Sequence, residues 1–126
     1  MRETLRILIV DDDRSMARTL KDILHLKGYN VETAHSGPEA LEKVEKAAFD
    51  CVLSDIRMPE VNGVELYRAI KAQRSNIPMV LMTAYASDSL VKEGLEEGVL
   101  AVLTKPFDIT LLLRFLSSLR KETDTT

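Results

Sequence analysis

Cysteine is almost absent: Cys51 is the only one among 126 residues, so no internal disulfide can form. It opens the run Cys-Val-Leu-Ser, where the expected role is that of a buried thiol acting as a small hydrophobe. Histidine is scarce too. His25 and His35 have no second His or Cys at ligand spacing, which leaves them as ordinary surface or boundary residues. Long apolar runs are missing, and the longest fall well short of a membrane span, so no membrane partner is expected. Nor is there an excess of positive charge. A net charge of -3 and a pI near 5.4 give no basic field for a phosphate backbone, which argues against direct nucleic-acid binding. Met-Arg-Glu-Thr leads into a short strand rather than a signal peptide, so a cytoplasmic location is expected. Repeats and low-complexity segments are also absent.

What is present has the balance of one globular domain, 45% hydrophobic and 29% charged. A chain of this length buries roughly two thirds of its unfolded surface. Five short apolar runs recur at broadly even intervals: Ile7 to Val10, Val31 to Ala34, Cys51 to Ser54, Met79 to Thr83 and Val99 to Thr104. Between them lie segments of helical period. Met16, Leu20, Ile23 and Leu24 form one stripe, ended by Gly28; Ala40, Leu41, Val44, Ala47 and Ala48 form the next, begun by a capping-box pattern at Ser36, Pro38 and Glu39. Leu66, Tyr67 and Ile70 mark a third helix, and Val91 with Leu95 a weaker fourth closed by Gly98. Ile109, Leu112, Leu113, Leu116 and Leu119 mark a strong fifth.

Strands alternating with helices predict an α/β fold with a parallel sheet covered on both faces. The second strand, Tyr29-Asn30-Val31-Glu32-Thr33, alternates apolar and polar residues and reads as an edge, whereas the first, third and fourth read as interior. The order 2-1-3-4-5 satisfies this. It places the carboxyl ends of strands 1 and 3 beside the crevice where such sheets bind ligands. The polar tail from Lys121 to Thr126 lacks periodicity and reads as a frayed end or the start of a linker.

The first strand, Ile7 to Val10, ends in Asp11, Asp12 and Asp13, three carboxylates whose mutual repulsion asks for a cation or solvent to relieve it. Asp13, followed by Arg14 and Ser15, reads as a helix cap. The topology brings Asp11 and Asp12 to the edge that also receives Asp55, Thr83 and Lys105. Singly, each has an ordinary explanation as a cap, a backbone-bonded hydroxyl or a surface lysine. Together they offer what a phosphoryl group and a hard divalent cation need: oxygen ligands for Mg²⁺, an Asp55 nucleophile, and Lys105 and Thr83 to meet the transferring oxygens.

The chain resembles, over essentially its whole length, the receiver domains of response regulators in bacterial two-component systems. Those at the front of nitrogen-regulation-type transcription activators are the most similar. The motifs are Ile-Leu-Ile-Val-Asp-Asp-Asp, Asp55 followed by Met58-Pro59 and Gly63, Thr83-Ala84, and Lys105-Pro106-Phe107. The resemblance implies a flavodoxin-like (βα)5 receiver over residues 1–120. It implies that Asp55 accepts a phosphoryl group from a sensor histidine kinase and that an output domain or downstream protein reads the change. Asp12, Asp55 and the backbone carbonyl of Arg57 would bind Mg²⁺ directly, with Asp11 acting through water. It also implies a cis Lys105-Pro106 bond that aims the lysine into the site.

Val102 departs from the pattern, since the family usually carries a rotating aromatic three positions before the lysine. Switching is therefore expected to rely on Thr83, the loop after strand 4 and a mobile helix 4, which Gly94 weakens by about 1 kcal/mol relative to Ala. Arg57 and Tyr85, both large, flank the path of an attacking water and predict a slowly hydrolysing phosphate. Leu111 and Phe115 form either an exposed strip, suited to a homodimer through helix 4, strand 5 and helix 5, or a cover for strand 5 and helix 4.

The principal rival is a small Mg²⁺-dependent phosphatase or phosphotransferase of haloacid-dehalogenase type, suggested by the Asp-x-Asp of Asp11 and Asp13. It would require a cap and a later acidic pair. A flavin binder shares the topology, but the acidic loop would repel its phosphate. A receiver that binds partners without phosphorylation is the third alternative, disfavoured by the intact Asp55, Thr83 and Lys105.

Overall fold

The computed structural model describes residues 4–73, 76–105 and 108–124, with side chains as far as Leu119. Pro106 and Phe107, and with them the expected cis bond, lie outside the described residues. The elements alternate without exception. They run β1 (Arg6–Val10), α1 (Arg14–Leu26), β2 (Asn30–Ala34), α2 (Gly37–Lys46), β3 (Cys51–Asp55), α3 (Gly63–Gln73), β4 (Met79–Thr83), α4 (Ser89–Glu97), β5 (Ala101–Thr104) and α5 (Ile109–Asp124). All strand pairs are parallel, in the order β2-β1-β3-β4-β5. This is the expected doubly wound sheet, with β2 on an edge.

Because successive strand residues face opposite sides, the sheet carries two cores. On one side Leu8, Val10, Val52, Met79 and Leu81 pack under Val44 of α2, Val64 and Ile70 of α3, and Leu90 of α4. On the other, Ile7, Ile9, Cys51, Leu53, Val80 and Met82 pack under Leu20 and Leu24 of α1 and Leu112 and Leu116 of α5. Caps set the helix starts. Asp13 accepts the Met16 amide at 3.1 Å, and Ser36 accepts the Glu39 amide at 3.2 Å. Asn62 and Glu65 exchange reciprocal bonds of 2.9 Å before α3.

Several expectations need correction. The buried face of α1 is Ala17, Leu20 and Leu24, while Met16 lies outside it and is exposed. Helix α2 stops at Lys46, so Ala48 is exposed and Phe49 fills the core instead. In α4 the inward residues are Leu90 and Gly94, and Leu95 faces solvent. A Cβ on Gly94 would stand 2.7 Å from Leu81 Cδ1, so the glycine lets α4 lie close to β4; packing, rather than mobility alone, accounts for it. Strand β5 begins at Ala101. Val99 is still part of the turn that ends α4, where Gly98 takes φ +109° and the Val99 amide returns to the Gly94 carbonyl at 3.1 Å. On α5, Phe115 packs against the core and Leu111 is exposed, so the two do not form one strip. The helix continues to Asp124, into the stretch expected to be tail.

Candidate functional site

At the carboxyl end of the sheet β1 and β3 lie side by side, with Val10 paired to Ser54, so Asp11 and Asp55 leave neighbouring strands at the same level. Backbone pairing continues past β1, where the Asp11 amide donates to the Ala34 carbonyl at 3.0 Å. The Asp11 carboxylate is only 1% exposed; Oδ1 accepts the Asp13 amide at 2.9 Å and Oδ2 meets Lys105 Nζ at 3.3 Å. Lys105 also lies 3.6 Å from Asp55 Oδ1. Oxygens of Asp11, Asp12 and Asp55 fall within 4.8 Å of one another.

Three carboxylates beside one ammonium retain an excess of negative charge, and their donor set is wholly hard oxygen. This composition fits Mg²⁺, which binds through few protein oxygens and keeps waters. Burial pushes the Asp55 carboxyl up to about 6; Lys105 opposes the shift, and Asp11 and Asp12 add to it.

Gly63 keeps this corner compact. Its amide donates to the Ile56 carbonyl at 2.8 Å, and a Cβ there would stand 2.6 Å from the Asp55 carbonyl oxygen. The first turn of α3 can therefore lie directly on the strand that carries Asp55. Three residues earlier in the loop, Glu60 adopts φ 69°, the one positive φ outside glycine among the described residues.

Thr83 is buried at the end of β4, and the Ile56 amide donates to the neighbouring Met82 carbonyl at 2.9 Å, which ties β4 to the residue after Asp55. The Thr83 hydroxyl is engaged with Tyr85: it accepts the Tyr85 amide at 3.1 Å and donates to the Tyr85 carbonyl at 3.2 Å. Tyr85 itself is 69% exposed. Arg57 also turns away from Asp55. Its Nε and Nη2 grip the two oxygens of Asp88 at 2.8 and 2.7 Å, and the guanidinium holds the Asp88 carboxyl below its ordinary range.

The structure thus brings Asp11, Asp12, Asp55 and Lys105 together and places Thr83 on the adjoining strand end. Asp13 is a cap and no part of the cluster. Two residues escaped the sequence reading. Asp88 caps α4 through the Leu90 amide at 2.9 Å, and an Asp directly before Ser89-Leu90-Val91 is a legible cap signal. His35, expected to be an ordinary boundary residue, has its Nδ1 3.1 Å from the Asp11 carbonyl; no local signal marks that contact.

Residues 7–117 match the response regulator receiver domain. The chain belongs to the response-regulator receiver family. Among its relatives, the transcriptional regulatory protein ZraR of Klebsiella oxytoca is 44% identical over 115 residues, covering 91% of this chain and 26% of ZraR. The response regulator MprA of Mycobacterium ulcerans is 37% identical over 120 residues, covering 95% of this chain and 52% of MprA. The receiver thus spans about a quarter to a half of these curated relatives. Among solved structures, the Francisella response regulator 1452 receiver domain aligns with a TM-score of 0.87 at 30% identity, covering 96% of this chain and all of that one. Chemotaxis protein CheY4 of Vibrio cholerae aligns with a TM-score of 0.85 at 36% identity, covering 92% of this chain and 98% of its own. The haloacid-dehalogenase alternative finds no support in these matches. Among the described residues, no helix is long and apolar enough to cross a membrane.

Proposed function

We propose that this receiver is a phosphoacceptor switch in which Asp55 takes a phosphoryl group from a phosphohistidine of a sensor kinase. The observation that carries the reading is the Asp55 carboxylate at the end of a central strand, with Lys105 Nζ 3.6 Å away and Asp11 and Asp12 in the same oxygen cluster. An Asp55 oxygen forms the new bond to phosphorus as the bond to the histidine nitrogen breaks, and the imidazole leaves. Lys105 meets one phosphoryl oxygen and the Thr83 hydroxyl another, so charge on the equatorial oxygens is matched by fixed donors. Asp12, Asp55 and the Arg57 carbonyl would hold Mg²⁺, with Asp11 acting through water, and the bound ion would supply charge neutralisation at the phosphoryl oxygens. The domain turns over no external substrate. It works in the cytoplasm and passes its change to an output domain or separate protein. The exposure of Leu95, Leu100 and Leu111 supports the α4–β5–α5 side as the face for a second copy.

Incubation with acetyl phosphate and Mg²⁺ is expected to add one phosphate per chain, sensitive to hydroxylamine and lost in Asp55→Asn. Continuous hydrolysis of a generic phosphate ester, or labelling that survives in Asp55→Asn, would overturn the reading. Arg57 rests on Asp88 here. If it leaves that partner on phosphorylation, it and Tyr85 would flank the path of an attacking water, and replacing both by Ala is then expected to hasten loss of the phosphate. Light scattering with and without a phosphoryl mimic tests self-association.

A further inference from the structure

Helix α4 is held very differently at its two ends. Its C-terminal end is pinned to α3 by several contacts. Tyr67 donates to the Gly98 carbonyl at 2.9 Å, Lys71 Nζ to the Glu97 carbonyl at 3.0 Å, and Arg68 bridges Glu93 at 2.6 Å and Glu97 at 3.2 Å. At its N-terminal end, the side-chain link to the β3–α3 loop is the Arg57–Asp88 pair. The Asp88 side chain is 5% exposed and also serves as the α4 cap, whereas Arg57 is 63% exposed and free to leave.

A chain of hydrogen bonds runs from Thr83 through Tyr85 and Asp88 to Arg57. The Thr83 hydroxyl holds Tyr85, and the Tyr85 carbonyl accepts the Asp88 amide at 3.1 Å. The Asp88 carboxylate holds Arg57, two residues beyond Asp55 in the chain. For Thr83 to donate to a group on Asp55 it must give up the Tyr85 carbonyl, which loosens the turn that carries Asp88. We infer that the Arg57–Asp88 pair is a latch that holds the N-terminal turn of α4 in the unphosphorylated position and opposes the Thr83 movement. Arg57 is thereby a positioning residue for the switch. The inference rests on the phosphoacceptor reading above and adds the element that resists it.

The test measures binding of beryllium fluoride, a phosphoryl mimic, in the presence of Mg²⁺. Arg57→Ala is expected to bind it roughly three- to fivefold more tightly than the natural chain, the scale set by loss of one surface ion pair. Asp88→Ser, which keeps a capping hydroxyl but cannot reach Arg57, should match it. Arg57→Lys should fall between, and the double variant should be no tighter than either single one. Before any beryllium fluoride is added, hydrogen exchange at the Leu90 and Val91 amides should quicken in Arg57→Ala, while the Gly98 and Val99 amides keep their rates. Unchanged or weaker binding by Arg57→Ala, or an additive double variant, overturns the latch. If the natural chain binds the mimic and Asp55→Asn does not, such a result removes the latch alone; if the natural chain fails to bind it, the phosphoacceptor reading goes as well.

Discussion

At the Asp55 carboxyl, burial outweighs the Lys105 ammonium and sets a pKa of about 6 against an ordinary 3.8. The folded chain thus keeps a proton that the unfolded chain has already lost across that interval. Stability is unpenalised below pH 3.8, falls as pH rises toward about 6, and stays lowered above it, where a charged Asp55 sits among other acids. In metal-free buffer, the stability of the natural chain relative to Asp55→Asn should therefore decline between pH 4 and pH 7, about the interval that linkage assigns to the shift. Urea unfolding at both pH values measures this; a constant difference would contradict it. Millimolar Mg²⁺ should narrow the gap at pH 7, because a ligand that binds only the native state stabilises it. At Cys51 burial dominates, with the Asp50 charge a lesser influence, and its thiol rises to about 12. Labelling by a disulfide reagent should accordingly follow global unfolding across a urea series. Rapid labelling without denaturant would contradict that.

Among the elements, α3 and α4 each approach the sheet at a glycine, but with different tolerances. A Cβ on Gly63 meets the Asp55 backbone oxygen, which cannot move without shifting β3. Gly63→Ala is expected to cost about 2–3 kcal/mol, the upper range for overpacking. At Gly94 the obstacle is the end of the Leu81 side chain, and the gain of about 1 kcal/mol in helix propensity partly offsets the clash. Gly94→Ala should be close to neutral or mildly destabilising by urea unfolding; a stabilisation of the full propensity gain would mean that α4 does not rest on Leu81 as described. These two positions also mark where sequence reading worked and where it did not. The strands were legible because buried parallel strands are written as unbroken apolar runs such as Met79 to Thr83. The inward face of α4 was legible only in part: Val91 packs against the core as its period suggests, but Leu95 faces solvent and one of the closest contacts is made by Gly94, a residue with no side chain to mark it.

For the molecule as a whole, the site was legible through topology. Once the order 2-1-3-4-5 was fixed, Asp11, Asp12, Asp55 and Lys105 had to meet at one edge, and they do. The Arg57–Asp88 and His35–Asp11 contacts were not legible, since neither partner's neighbours in the chain specify the other; only the finished packing brings them together. The sheet also divides the interior into two sets of side chains that belong to separate clusters. Ile9 lies in one and Ile70 in the other. Each Ile→Val change should cost about 0.5–1.5 kcal/mol. The double variant should equal their sum within about 0.5 kcal/mol, as for sites that share no partners. A larger departure in urea unfolding would show that the sheet transmits packing strain.

This partition bears on how such a chain can diverge. Helices α1 and α5 rest on one core, whereas α3 and α4, whose preceding residues form the Arg57–Asp88 pair, rest on the other. Substitutions that repack the interior under α1 and α5 should therefore leave the seat of α4 untouched. One half of the interior can drift while the half beneath the switching elements stays fixed, whereas a partner face built from α4, β5 and α5 would draw on both.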